Sequence, residues 1–151
     1  MQVSIRRGSV ADADAAADLW LRARKAALGA IPATVHSDEE VRSWFAAHVV
    51  HALELWVAES EELEMLGLIV LDADWIDQFY VDPEWTGRGI GGRLVEIAKR
   101  ERPQCLRLWT FVSNGRAQRF YKRHGFVEVD RTNGSENEER APDIQYAWSG
   151  G

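Results

Sequence analysis

Cysteine is all but missing from this chain. Cys105 stands alone among 151 residues, which excludes an internal disulfide framework and suits a reducing compartment. Its place between Gln104 and Leu106, at an expected strand start, reads as a buried structural thiol. No apolar run approaches the ~20 residues of a membrane span. The opening MQVSIRRGSV has no apolar signal-peptide core, so a cytoplasmic location without membrane contact is expected. Repeats, linkers and low-complexity segments are also missing. A length of 151 residues therefore reads as a single domain over 1–151, long enough to bury roughly 70% of its unfolded surface.

An excess of basic charge is lacking as well. The formal net charge of −6 argues against nucleic acid as a general partner. The distribution is uneven, however. Residues 87–123 carry ten basic side chains against Glu96 and Glu101, a net +8 that leaves −14 elsewhere. A basic island in an acidic protein points to a small polyanionic ligand.

That island begins at the stretch Trp75 to Arg100. Ile76–Val81 is β-branched and aromatic, and Asp82-Pro83 ends it as a strand. Ile90, Leu94, Ile97 and Ala98 form the stripe of a helix laid on a core. Between them runs Thr86-Gly87-Arg88-Gly89-Ile90-Gly91-Gly92. Glycines there let the backbone approach a ligand, and the helix N-terminus favours an anion such as phosphate. Two familiar phosphate loops do not fit. A P-loop needs Lys-Ser/Thr after its glycines, and a dinucleotide fingerprint needs an acid about twenty residues on.

The other elements follow from periodicity and caps. A strand is expected at 2–7, then a helix at 11–27 with Ala16, Leu19, Trp20, Ala23 and Ala27 inward. Ser37 and Glu40 form a capping box opening a helix to about His51, with Val41, Trp44, Phe45 and His48 or Val49 inward. Leu53–Glu59, Leu63–Asp72 and Trp75–Val81 read as three antiparallel strands. Leu106–Phe111 is a strand, and Asn114 caps a helix with Ala117, Phe120, Tyr121 and His124 on one side, stopped at Gly125. Phe126–Arg131 and Asp143–Trp148 are strands around a polar loop, 132–142. The order β-α-α-β-β-β-α-β-α-β-β predicts an α+β fold: a mixed, mostly antiparallel sheet of about seven strands with helices on both faces.

Val81-Asp82-Pro83 followed by Gly89-Ile90-Gly91, and then Asn114, Ala117, Tyr121 and Gly125-Phe126 at the proper spacing, resemble motifs A and B of the GNAT superfamily of acyl-CoA-dependent N-acetyltransferases. Thr86 stands where motif A opens with Arg or Gln. The element order extends the resemblance to essentially the whole chain. It implies an enzyme that moves an acetyl group from acetyl-CoA to an amine by direct attack on the thioester, with no metal. Thr86, Gly87, Arg88, Gly89, Ile90, Gly91 and Gly92 would hold the pyrophosphate, helped by Arg93. Phe79, Tyr80 and Val81 would offer backbone to pantetheine, and one of their amides would polarise the thioester carbonyl. Asn114, Ala117 and Phe120 would line the same arm, with Asn114 a plain helix cap otherwise. Tyr121 would be the general acid, or else a core aromatic.

Asp77 is the first candidate for base or amine binder, expected on the face of Phe79 towards the cleft. His36, Glu138 and Glu139 are the other candidates. Trp44, Trp85 and Trp109 are possible walls of an acceptor pocket, although core packing is the plainer reading of a tryptophan. The expected acceptor is a primary amine that is small or cationic. The alternatives are a protein N-terminus or lysine, or a non-catalytic acyl-CoA sensor. The chain is expected as monomer or homodimer.

Overall fold

The fold was obtained as a computed structural model that describes residues 2–150. Seven strands make one sheet: β1 (Val3–Arg7), β2 (Glu54–Ser60), β3 (Met65–Asp72), β4 (Trp75–Val81), β5 (Cys105–Phe111), β6 (Val127–Thr132) and β7 (Asp143–Ser149). The spatial order is β1-β2-β3-β4-β5-β7-β6. Every pairing is antiparallel except β4 with β5, which is parallel. This is the expected mixed α+β architecture.

One face of β2–β4 is covered by α1 (Ala13–Ala26) and by α2 (Asp38–Trp44), which runs on through a π-turn, Phe45–Val49, into the short α3 (Val50–Ala52). Ala16, Ala17, Leu19 and Trp20 pack there on Val57, Leu68 and Val70. The capping box forms in full: Glu40 N–H donates to Ser37 Oγ at 3.1 Å and Ser37 N–H to Glu40 Oε1 at 2.9 Å. The π-turn inserts its extra residue after Trp44, so Val49 takes the buried position and His48 stays exposed.

The opposite face carries α4 (Ile90–Glu101) and α5 (Gly115–Arg123). Ile90, Leu94, Val95 and Ala98 pack on Ile69, Leu71, Leu106 and Leu108, so α4 spans both halves of the sheet. Its first turn sits close because β3 has no side chain at Gly67. A Cβ there would lie 2.9 Å from Leu94 Cδ1 and 3.1 Å from Ile90 Cγ2. The hydrophobic stripe thus fixes how the glycine turn is seated on the sheet.

Some boundaries and environments differ from expectation. Leu63 adopts φ 65 in a turn, so β3 starts at Met65. Ala27 and Ile97 are only half-buried, and Val95 replaces Ile97 in the core. Cys105 is also half-buried, and its thiol donates to Asp74 Oδ2 at 3.1 Å. It heads an end of the sheet where β4 and β5 meet, not the middle of a packed layer. Among the described residues, no helix is long and apolar enough to cross a membrane.

Candidate active site

The fourth and fifth strands make contact at one end only. Their ladder consists of Trp75 opposite Arg107, with Arg107 N–H donating to Asp74 O at 2.9 Å. Beyond Trp75 the two strands splay. On the other edge of β4, Asp82 N–H donates to Leu66 O of the β2–β3 side at 2.8 Å. Backbone groups alternate along a strand, so those of Tyr80 face β3 and those of Phe79 and Val81 face the splay. The open edge thus presents two hydrogen-bonding residues and no partner strand.

At the mouth of the splay is the glycine turn. A short 3-10 turn, Pro83–Trp85, follows β4, and α4 starts with Gly89 as N-cap at φ 83. The first helical bond runs from Arg93 N–H to Gly89 O at 3.1 Å, which leaves the amides of Ile90, Gly91 and Gly92 without helical partners. Gly87 and Gly89 both have positive φ, and a Cβ on either would meet nothing within 4 Å. These two face an open cradle that suits a phosphate. Gly91 and Gly92 serve another purpose. A Cβ on Gly91 would stand 3.3 Å from the Phe120 ring, and one on Gly92 3.3 Å from His124 Cε1. They let α5 approach α4.

The charges around the turn are more specialised than expected. Arg88 lies over the Trp85 ring, 4.7 Å from its centroid. Arg93, expected to serve the anion, donates instead to the Val3 carbonyl at 2.6 Å and ties α4 to β1. Asn114 caps α5 by accepting from Ala117 N–H at 3.2 Å, and its amide nitrogen has no recorded protein partner among the described residues. Ala117 and Phe120 are half-buried against the core on that side.

Tyr121 is buried among Phe79, Phe120, Phe126 and Tyr146. Its hydroxyl hydrogen-bonds to no protein group among the described residues and is not sealed from solvent. Burial, seconded by the nearby Tyr80 phenol, pushes it well above the ordinary phenol value. It therefore stays protonated at neutral pH.

Asp77 departs from expectation. Gln78 pairs with Val70 and Ile76 with Leu71, so Asp77 is the extra residue of a β-bulge. The bulge breaks the alternation: Ile76 and Phe79 share the α4 face, while Asp77 turns with Gln78 and Tyr80 to the α1–α2 face. Its carboxyl is pushed upward, first by desolvation and then by Asp72, against the Gln78 amide and His48. No cation lies within ion-pairing distance among the described residues.

On that same face a polar network escaped sequence reasoning. Arg24 of α1 donates to Tyr80 Oη at 3.2 Å, to Pro32 O at 3.1 Å and to Glu139 Oε2 at 3.4 Å, and stacks on Trp20. Trp20 Nε1 donates to Gln78 Oε1 at 2.8 Å. Trp20 and Arg24 are four apart on one helix face, which is the signal that was available; the basic end of a helix masked it. His36 meets Glu138 at 2.9 Å, which ties the loop around 27–37 to that of 133–142, and Ser113 Oγ donates to Ala30 O at 2.6 Å, which ties the same loop to the turn between β5 and α5. Of the other base candidates, Glu139 is thus held by a guanidinium and Glu138 by an imidazole. A groove of about 410 Å³ runs beneath, lined by Trp109, Thr110, Phe111, Thr132, Glu136, Asn137, Glu139 and Asp143. Trp109 reaches it; Trp44 packs on Phe45 and Trp85 under Arg88, away from it.

Residues 51–128, just over half of the chain, match the model of the acetyltransferase (GNAT) domain. The chain belongs to the GNAT acetyltransferase family. It is 29% identical to the peptidyl-lysine N-acetyltransferase YjaB of Escherichia coli (strain K12) over 99% of both chains. The solution structure of apo-form YjaB from Escherichia coli superposes on it over all of both chains, with a TM-score of 0.79 and 26% identity. The fold is shared, at 21% identity and a TM-score of 0.73 over 99% of each chain, with the PaiA N-acetyltransferase of Thermoplasma acidophilum, whose crystal structure is a complex with coenzyme A. The GNAT chain is thus an N-acetyltransferase, and the family's co-substrate is acetyl-CoA. The residues present fit such a ligand, since Gly87 and Gly89 hold open the cradle that a side chain would fill.

Proposed function

We propose that this acetyltransferase moves the acetyl group of acetyl-CoA to the ε-amine of a lysine presented by a protein. The observation that carries the reading is the division of the splay. One side offers free amides and an anion cradle. The other offers a loop-bounded groove with carboxylates and the unpaired Asp77. The full-length likeness to a peptidyl-lysine acetyltransferase favours a protein lysine over the small amine that the sequence put first.

Glycines 87 and 89, the free amides of α4 and Arg88 hold the pyrophosphate, and Phe79 and Val81 receive the pantetheine arm. When bound, acetyl-CoA supplies an acyl carbon activated as a thioester. The chain's groups then act on three atoms. Asp77 attracts the lysine ammonium and takes one proton, leaving a nitrogen lone pair for the new C–N bond. A backbone N–H of Phe79 or Val81 donates to the carbonyl oxygen, a contribution of about 3 kcal/mol in comparable sites. As the C–S bond breaks, Tyr121 gives its proton to sulfur, and the second proton that the nitrogen sheds on becoming an amide restores the phenol. A raised phenol is a weaker acid, but a thiolate in the same dry cleft is a stronger base, so the two stay matched.

The experiment presents lysine peptides, free polyamines and amino acids side by side with acetyl-CoA, and follows released thiol and acetylated product by mass. Turnover of peptide lysines above the free amines is expected. Rapid acetylation of small amines with inert peptides would overturn the reading.

A further inference from the structure

Trp109 is the exposed tryptophan of the groove, with 42% of its surface accessible. It stacks on Trp75 with ring centroids 6.5 Å apart and planes 8° from parallel. The pair joins β4 to β5 at the closed end of the splay. Trp109 points into the groove with Glu136, Glu139 and Asp143, and Trp75 lies two residues from Asp77.

The other tryptophans show what is unusual here. Trp20, Trp85 and Trp148 each carry one of the chain's own cations on the ring, Arg24 at 4.8 Å, Arg88 at 4.7 Å and Lys99 at 5.0 Å, and Trp56 carries two, Arg100 at 5.6 Å and Arg7 at 5.9 Å. Trp44 is stacked by His48. Trp109 has Trp75 on one face and no cation of its own among the described residues, although the groove around it is acidic. Its indole N–H has no recorded partner either. Glu139 leads from the groove to Arg24, and Arg24 to the Tyr80 hydroxyl on the α1–α2 face of β4. An electron-rich ring with carboxylates at its side, next to the strand that carries Asp77, makes a seat for a cation on an aliphatic stem.

We infer that Trp109, braced by Trp75, is a specificity-determining residue that holds the methylene stem and ammonium of the acceptor. The inference rests on the lysine reading above and names the surface that recognises the side chain. Phenylalanine at 109 keeps an aromatic face, whereas leucine keeps apolar bulk without one. The site therefore separates a cation–π contact from simple packing.

The test is a binding titration that needs no chemistry. Nα-Acetyl-lysine methylamide and the matching norleucine amide, which has no ammonium, are titrated against wild type, Trp109→Phe and Trp109→Leu, followed by tryptophan fluorescence and calorimetry. Wild type should prefer the lysine amide. Trp109→Leu should lose roughly three- to thirtyfold of that preference, and Trp109→Phe should retain most of it. Thermal melts of both variants check that the fold persists, as expected for a half-exposed side chain. An undiminished preference in folded Trp109→Leu overturns the inference, and so does a wild type that binds both amides equally. A preference that depends on Trp109 in an enzyme that acetylates no lysine would instead fell the lysine reading and leave this seat standing.

Discussion

The two sides of the splay use different chemistry. The side of α4 and α5 works through backbone: positive-φ glycines, unpaired amides at a helix start and an open strand edge. The side of α1 and the loops works through side chains brought from far apart, with Arg24 meeting Tyr80 and Glu139 across 56 and 115 positions. A backbone site depends on local geometry, so a change there is expected to act on coenzyme binding alone. A side-chain site can lose one member and keep its shape, so changes there should alter acceptor affinity by degrees.

The largest effect is expected at the cradle. Gly89→Asp places a carboxylate where the pyrophosphate is proposed to sit, at a φ that Asp tolerates better than most residues. Acetyl-CoA binding should be lost by at least about a hundredfold, an estimate from the cost of an unpaired like charge, while the fold persists with a melting temperature lowered by about 2–4 °C, the strain of a side chain at that φ. Gly91→Ala sharpens the contrast, because its Cβ presses on Phe120. That variant should lose stability as well as affinity. Intact acetyl-CoA binding in folded Gly89→Asp would remove the backbone half of the comparison.

Next comes Tyr121→Phe, which removes one oxygen between the two sides. It should lower kcat by ~10²-fold and leave the affinity for acetyl-CoA unchanged. Unaltered turnover would make Tyr121 a packing residue.

Asp77→Asn should act on the acceptor side alone, raising KM for the amine on the order of tenfold, the worth of one charged hydrogen bond, and depressing turnover most at low pH, where the amine needs a base. Its stability effect runs the other way. Because the folded state raises this carboxyl, ionisation costs stability as pH climbs through that raised value, and Asn is free of the cost. An Asn variant at least as stable as wild type, yet poorer for the amine, separates a binding role from a structural one. A change in stability alone would return Asp77 to the sheet.

The smallest effect belongs to the loop tie. Glu138 raises the His36 imidazole, so the ion pair is complete below the ordinary value of 6.5 and fades as pH rises through the raised one. KM for the acceptor should climb roughly twofold across that window, and His36→Gln should flatten the profile, in keeping with exposed pairs. A flat wild-type profile would show that the tie does not order the groove.

The same division explains what the sequence made legible. Backbone sites leave marks in order: glycine spacing, the Val-Asp-Pro stop and the Asn114 cap are all local, as are the capping box and the helix stripes. The acceptor side is built from single residues of α1, β4, β5 and the 133–142 loop, and no local period links them. Two features there reverse parity. The bulge at Asp77 moves that carboxyl to the opposite face from the one alternation implied. The π-turn decides likewise between His48 and Val49, turning the first outward and the second in. One inserted residue changes every inference about direction beyond it, and neither insertion has a compositional mark.

The single bridge between Trp75 and Arg107 has a consequence for how the protein comes apart. β1–β4 and β5–β7 form two hydrogen-bonded rafts whose mutual attachment is side chains, those of α4 together with the Trp75–Trp109 stack and the loop contacts of Arg24 and His36, instead of a ladder. Such rafts can open separately, each with its own free energy, and amide exchange should divide along the line between β4 and β5. A substrate arm lying along Phe79 and Val81 occupies the missing rung. Acetyl-CoA is then expected to slow exchange in both rafts at once, so that the ligand makes a single cooperative unit of what the chain alone leaves as two.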